Sequence, residues 1–444
     1  MDLTNQTIAI LGAGRSGLAA ARLARAGGAQ PVVFDTGSPA KLADNLATLH
    51  AQNITAVIGL AEAQQFVAKT NFDLVVISPG MDASWELPRI FTAKGIPLIG
   101  EIEFAWRHLK DTPIVAITGT NGKTTTTELI ERMLNGCGRR TIACGNYGHP
   151  LCEVALSGVR YDVLAVEVSS FQLETITSFR PRVGIWLNFA PDHLDRYPDL
   201  KSYFAAKRHL FDYMTREDVA IIRAGEPLDN LKPETVTFST TPGVKADYTL
   251  DGNTVHFNEV SIASINDLPL REPHNVENEM AALAAGHALG LGFEQMQSAL
   301  RGYESARHRC EIVREHQGHV YMNDSKATNL HAMESCLQSQ QAPVVLIAGG
   351  KEKGIDYTPF RSLLSEKATA LIAIGEIADK LCGLFADALP CHRAASVAEA
   401  VSIATSIAAP GQAVVFSPGT SSFDMFSGYA ERGNAFRDAV LSIP

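Results

Sequence analysis

The chain has 444 residues, 46% of them hydrophobic and 19% charged, with 38 Lys and Arg against 48 Asp and Glu for a net charge of −10. That composition suits about three packed domains of ~150 residues each and is too poor in charge for a disordered chain. No Lys/Arg-rich run offers the clustered cations that a nucleic-acid partner needs, and no stretch nears the ~20 apolar residues of a membrane span.

The first predicted elements lie in "IAILGAGRSG": a strand over Ile8–Leu11, a glycine turn, and a helix after Gly17 with Leu18, Ala21 and Ala24 on its apolar face. Strands over Val32–Phe34 and Leu74–Ile77 follow. In such a turn the first glycine permits the bend, the second lets backbone approach a phosphate, and the third allows close helix packing. Asp35 ends the next strand, where it can accept a ribose hydroxyl. By itself the pattern ranks NAD just ahead of another nucleotide, with a plain glycine turn as the bland alternative.

A second unit opens with "PIVAITGTNGKTTTTELIERML", again a strand, a glycine turn and a helix. Lys123 offers an ammonium for terminal phosphates and Thr124 a hydroxyl for Mg²⁺, while the backbone N–H groups of Gly119, Thr120, Asn121 and Gly122 can wrap a phosphate. The generic pattern wants glycine where Ile117 stands, yet G-K-T-T between a strand and a helix predicts an ATP site. Apolar runs "DVLAVEV" and "RVGIWLN" read as strands, and "DLKSYFAAKRHLFDYM" and "HNVENEMAALAAGHALGLG" as helices, with short strands and turns over 235–271. A third unit begins near "ARHRCEIVREHQGHVYMNDS" and carries strands "PVVLIAGG", "ALIAIG" and "AVVFSPG". The expectation is three α/β domains in series. Seven scattered cysteines with no C-x-x-C pair suggest neither a disulfide framework nor a structural zinc site, and "MDLTNQTIAILG" lacks a secretion-signal pattern. A cytoplasmic protein with reduced, buried thiols is expected.

The departure at Ile117 is informative, because "TGTNGKTTT" resembles the ATP loop of the Mur ligase family, enzymes that add amino acids to the peptide stem of the bacterial cell-wall precursor. The resemblance continues in order through "CGNYG", "EVSSFQLE", "NFAPDHLDRYPDLKSYFAAKRHLF", "HNVENEMAALAA", "ARHRCE", "NDSKATN", "GGKEKG" and "SPGTSSFDMFSGYAERGNAF". It implies a Rossmann-like UDP-binding N-terminal domain over 1–103 and a central P-loop ATPase-like domain over 104–306. A Rossmann-like C-terminal domain over 307–444 would bind glutamate and close over ATP. The activity implied is ATP-driven addition of D-glutamate to UDP-N-acetylmuramoyl-L-alanine through an acyl phosphate. The protein would act as a monomer, without nucleic acid, membrane insertion or NAD.

Each site residue follows from a matching motif. Gly14, Arg15, Ser16, Asp35 and Thr36 would hold the diphosphate and uridine, Ser78, Pro79 and Gly80 would lie near the uracil, and Asn146 would orient the acyl-phosphate end. Gly37 stands where the family often has an assisting side chain. Gly119 to Thr125, including Thr120, Asn121, Gly122 and Thr125, would hold the triphosphate, Asn275 and Asn278 the adenine, and Arg309 and Asp324 the phosphate and ribose. Thr124 and Glu167 would bind one Mg²⁺, and His193 a second together with Lys207 as a carbamate. Catalysis would fall to Lys123, Glu167, His193 and Lys207. Glutamate would meet Lys353 and Thr328 at one carboxylate and Ser422 and Phe423 at the other, with Lys326 assisting phosphate. Tyr429 replaces the usual phenylalanine of the family and leaves its contact with glutamate open.

Electrostatics explains why so many cations are needed. A carboxylate must approach a triphosphate and then meet a second anion, and each like-charge pair at 4 Å costs ~4 kcal/mol at an effective dielectric of 20. One lysine does not offset several such pairs; metals and further cations are required. L-glutamate as acceptor, L-alanine addition to UDP-N-acetylmuramate, a folylpolyglutamate synthase, an NAD dehydrogenase and a non-catalytic nucleotide sensor remain as alternatives at this level.

Overall fold

The computed structural model describes residues 2–194, 196–271, 273–303 and 307–444. Asp195 within "PDHLDRYP" and Ala306, which opens "ARHRCE" and adjoins the expected 306/307 boundary, lie outside them. The chain forms two compact units, one of Met1–Phe189 with Lys201–Tyr303 and one of Ala190–Leu200 with Glu304–Pro444.

The first unit contains two sheets. β1 (Thr7–Leu11), β2 (Gln30–Asp35), β3 (Thr55–Ile58), β4 (Leu74–Ile77) and β5 (Leu98–Gly100) form a parallel sheet in the order β3-β2-β1-β4-β5. The order reverses between β1 and β4, and a crevice at such a switch point is where open α/β sheets take ligands. The glycine loop after β1 opens there. A Cβ on Gly17 would come within 1.8 Å of the Gly12 carbonyl oxygen, so only glycine lets the helix Arg15–Ala26 pack this close to the loop.

The second sheet runs β14-β13-β12-β11-β10-β9-β6-β8-β7. Its strands are β6 (Ile114–Thr118), β7 (Thr141–Gly145), β8 (Val163–Glu167), β9 (Val183–Trp186), β10 (Val219–Arg223) and β11 (Glu234–Ser239), then β12 (Tyr248–Asp251), β13 (Thr254–Phe257) and β14 (Val260–Ser264). The strands from β6 to β12 are parallel, as the apolar runs predict for a sheet covered on both faces. The short strands expected over 235–271 form the antiparallel extension β12-β13-β14.

One apolar core spans both sheets, from Ile8 and Ile10 through Ile102, Phe104 and Leu151 to Leu164 and Trp186. A buried carboxylate fixes this junction. Glu103 accepts backbone N–H groups of Thr177 (3.1 Å), Ser178 (3.0 Å) and Phe179 (2.8 Å), with Arg107 at 3.0 Å. Burial would raise its pKa, but the Ser178 hydroxyl at 2.6 Å, together with these donors, holds it below the usual carboxylate value.

The described residues of the second unit form the sheet β15-β16-β20-β17-β18-β19, in which β15 (Glu311–His316) runs antiparallel to its neighbour β16 (His319–Asn323). β17 (Val344–Gly349), β18 (Ala368–Ile374), β19 (Cys391–Ala394) and β20 (Val414–Phe416) complete it in parallel. Apolar cores cover its two faces, around Leu346 and Leu371 on one and Ile347 and Phe416 on the other.

Candidate active site

The loop after β6 owes its surroundings to strand register. β6 lies between β8 and β9, with Ile117 paired to Glu167 and Thr118 to Trp186. Residues just beyond the ends of β8 and β9 therefore flank the loop. Gly145 pairs with Glu167 in turn, which brings Asn146 alongside.

Asn188, just past β9, braces the loop. Its carbonyl accepts the Thr120 N–H at 3.0 Å and its Oδ1 accepts the Asn121 N–H at 2.9 Å. Two of the N–H groups expected to wrap a phosphate are thus engaged with Asn188. Lys123, the first residue of helix Lys123–Gly136, donates to the carbonyls of Gly119 (2.8 Å) and Thr120 (2.9 Å). Gly122 has φ +84, and a Cβ there would meet Asn278 Oδ1 at 2.3 Å. The same close approach brings Asn278, bonded to Asn275 Oδ1 at 3.2 Å, to the loop.

Glu167 is buried at 3% exposure. Its Oε1 accepts from Asn146 Nδ2 at 2.7 Å, whereas Oε2 is buried without a hydrogen-bond partner. An orphaned buried carboxylate oxygen is costly unless a cation completes it, so this atom together with the buried Thr124 fits an oxygen-ligated Mg²⁺. Lys207 is also buried, on helix Leu200–Arg208, with Nζ 2.8 Å from the Gly119 carbonyl and 4.8 Å from the centre of the Tyr203 ring. Tyr203 in turn meets Thr120 Oγ1 at 3.3 Å. A carbamate on Lys207 would keep one N–H for Gly119.

At the first glycine loop, Asp35 braces backbone with both oxygens. Oδ2 accepts the Ala13 N–H and Oδ1 the Gly37 N–H, each at 2.7 Å. A Cβ on Gly14 would meet nothing within 4 Å, so this stretch of backbone stands open to a ligand. Arg15 reaches across to the Gly148 carbonyl (2.9 Å) and Glu153 (3.1 Å), in the segment that follows Asn146. Ser78 lies just past β4, its N–H bonded to the Leu11 carbonyl, and Gly80 also faces open space.

In the second unit, parallel register aligns Asn323 with Phe416 and Ile347 with Phe416, so Asp324, Ser417 and Ala348 sit together at the strand ends. Asp324 accepts from Ser417 Oγ at 2.7 Å, and burial pushes its pKa up to about 6. Arg309 is half-buried on the neighbouring segment. Lys353 donates to Asp192 at 3.1 Å and to the Thr328 carbonyl at 3.3 Å. Burial opposes ionisation of Asp192, but the neighbouring His193 and Lys353 hold its carboxyl below the usual value. His193 itself adopts φ +57, its N–H bonded to Asp192 Oδ1 at 2.8 Å. Lys326 places Nζ 3.8 Å from the centre of the Tyr429 ring, a cation–π contact that gives Tyr429 a role a phenylalanine would also fill. Ser422 is buried and Phe423 exposed.

Several positioning residues escaped the sequence reading. Asn188, Asp192 and Tyr203 lie within motifs already quoted, but nothing in their spacing singled them out. Arg432, 1% exposed, binds Ser325 Oγ and the carbonyls of Thr420 and Ser325, tying the Lys326 segment to the Ser422 segment.

Comparison with known proteins covers the same ground. The family models described as Mur ligase MurD-like N-terminal domain, Mur ligase middle domain, and Mur ligase glutamate ligase domain match residues 6–100, 117–286 and 308–419. A UDP-N-acetylmuramoylalanine–D-glutamate ligase of Pelotomaculum thermopropionicum is 38% identical over 464 residues, covering 100% of this chain and 99% of its own. One of Syntrophotalea carbinolica is 39% identical over 452 residues, with the same coverage. Among solved structures, the UDP-N-acetylmuramate–alanine ligase MurC of Thermotoga maritima superposes with a TM-score of 0.62 at 18% identity, covering 99% of this chain and 100% of its own. The MurF ligase of the same organism, in complex with ADP, gives 0.59 at 13% identity with 93% and 95% coverage. The three-domain α/β fold and the full-length relatives lead to one conclusion: the chain belongs to the Mur ligase family.

Proposed function

We propose that the protein adds D-glutamate to UDP-N-acetylmuramoyl-L-alanine at the expense of ATP, in peptidoglycan precursor synthesis. The substrate assignment is supported by full-length relatives that carry this activity in their names. The observation that carries the chemistry is the loop after β6, where a P-loop lysine, a buried carboxylate with one orphaned oxygen and a buried lysine converge.

An oxygen of the precursor carboxylate attacks the γ-phosphorus, the bond to ADP breaks, and an acyl phosphate forms. The glutamate amine then attacks the carbonyl carbon, the C–O bond to phosphate breaks, and the nitrogen loses a proton. Lys123 moves from its own loop carbonyls to the transferred phosphoryl group, and the Thr120 and Asn121 N–H groups leave Asn188 for phosphate oxygens. Thr124 and Glu167 would hold one Mg²⁺, Lys207 as a carbamate would offer a ligand to a second, and His193 is read as a further metal ligand from its motif alone. When bound, the metal ions neutralise the charge that builds on the phosphates. Asn275 and Asn278 take adenine, and Arg309 and Asp324 the phosphate and ribose.

The open backbone at Gly14, with Arg15, Ser16, Asp35 and Thr36, takes the UDP diphosphate and ribose, Ser78 to Gly80 the uracil, and Asn146 the acyl end. Lys353, Thr328, Ser422 and the backbone at Phe423 take glutamate, with Lys326 and Tyr429 beside them. The enzyme works as a cytoplasmic monomer. Among the described residues no helix is long and apolar enough to cross a membrane.

The test is ADP release from purified protein with ATP, Mg²⁺ and UDP-N-acetylmuramoyl-L-alanine, comparing D- with L-glutamate. Turnover with D-glutamate alone is expected. Turnover with L-glutamate would keep the mechanism and change the product, and silence with both would reject the substrate assignment.

A further inference from the structure

Absence of any C-x-x-C pair argued against a zinc site, but the fold of the second unit brings distant cysteines together. Cys310 immediately precedes β15, and Glu311 pairs with Asn323, so the hairpin register sets Cys310 across from Asp324. The Cys310 N–H donates to Asp324 Oδ1 at 3.3 Å. Cys336 arrives from helix Leu330–Gln338, on the same buried face as Met333 and Leu337. One ligand atom from each of Cys310, Asp324 and Cys336 lies within 4.8 Å of the others. Neither cysteine is in a disulfide.

We infer that Cys310, Cys336 and Asp324 form a site for a thiophilic divalent cation of the Zn²⁺ class. Two sulfurs and a carboxylate oxygen are the mixed donor set that tetrahedral Zn²⁺ takes, with ligand bonds of about 2.0–2.3 Å, and donors around such an ion lie roughly 3.3–3.8 Å apart. Donors that lie within 4.8 Å of one another need to close by at most about 1.5 Å to reach that spacing. Cys336 is 1% exposed and Cys310 half-buried, so the site has a closed floor and one side from which an ion and a fourth, water ligand can enter. Cys310 also adopts φ +45, an uncommon conformation for a non-glycine residue, and so enters the cluster from a kinked backbone. The cation joins the β15–β16 hairpin to the helix carrying Cys336. A disulfide between the two sulfurs is the rival outcome, in which Asp324 keeps its bonds to Ser417 Oγ and the Cys310 N–H.

The probe is Co²⁺, added to the metal-free full chain under reducing conditions. Binding through Cys310 and Cys336 gives the thiolate-to-cobalt charge-transfer band, saturating at one equivalent and displaced by Zn²⁺. An oxygen-ligated Mg²⁺ site, as at Glu167, binds Co²⁺ without that band. Cys310→Ser and Cys336→Ala should each weaken the banded binding at least tenfold, with thermal melting of each variant confirming that it remains folded. Cys310→Ser, at the half-buried position, keeps the test open if Cys336→Ala unfolds. No band in the wild-type chain overturns the proposal, as does a band that survives both substitutions. A Cys310–Cys336 disulfide formed with oxidised glutathione, in a chain that gives no band when reduced, overturns it in favour of a redox pair.

Discussion

The two glycine loops of the first unit share a template and differ in what their neighbours supply. Each follows a parallel strand and opens a helix, and side chains accept backbone N–H groups of each, Asp35 on the first and Asn188 on the second. Around the first loop the backbone at Gly14 is open, and Arg15, with its side chain 62% exposed, is the cation. Around the second, an adjoining strand end adds buried Glu167 with Asn146 bonded to it, the loop's own helix adds buried Thr124, and a later helix adds buried Lys207. A glycine loop thus offers N–H groups to any phosphate, whereas transfer chemistry needs charge concentrated by burial. The first loop is equipped to hold a diphosphate, and the second to move a phosphoryl group.

If that contrast is right, Lys123→Ala should lower ADP release by ~10³-fold or more, the scale of a cation lost from a transferring phosphoryl group. Affinity for the UDP precursor, measured by calorimetry, should stay within about threefold, since it belongs to the first loop. Near-normal ADP release would collapse the comparison. Lys207→Ala should lower kcat by ~10²-fold or more while precursor affinity is again largely kept. Equal losses in both would make Lys207 a packing residue instead of a ligand-bearing one.

A smaller effect concerns the segment that Arg15 reaches. Glu101, wholly buried, accepts the Cys152 N–H, and burial raises its pKa from 4.5 to about 7. Between those values the folded state holds a proton that the unfolded state has lost, so stability falls as pH rises from 4.5 to 7 and levels off above. That contribution is roughly 3 kcal/mol at about 1.4 kcal/mol per pH unit. Urea unfolding of Glu101→Gln across this range should lack that slope, and an unchanged slope would refute the buried-acid assignment. The smallest effects compare the glycines directly. Gly122→Ala should cost ~1–3 kcal/mol, because it combines a left-handed φ with contact against Asn278. Gly14→Ala should cost under ~1 kcal/mol yet raise KM for the UDP precursor about tenfold, by holding the diphosphate off the backbone. A stability loss at Gly14 equal to that at Gly122 would erase the distinction between the loops.

Much of this was legible in the chain itself. Alternating β-branched runs and helical patterns predicted the three α/β regions, and ordered motifs pointed to the family. The strand over Ile8–Leu11 proved longer by one residue and that over Val32–Phe34 by three, as expected where pairing with neighbours extends what local preference begins. The residues that could not be read act through partners distant in sequence. Asn188 is 67 residues from Asn121, Arg432 is 107 from Ser325, and Asp192 is 161 from Lys353.

The sequence by itself determined the identity of the chemical groups and the order of the elements, because periodicity, turn residues and motif spacing are local properties of a chain. Tertiary structure decided which strand ends are neighbours, and through register it left one Glu167 oxygen without a partner and set Cys310 beside Asp324. Burial, and with it the concentration of charge at the second loop, arises only when separated segments exclude water together.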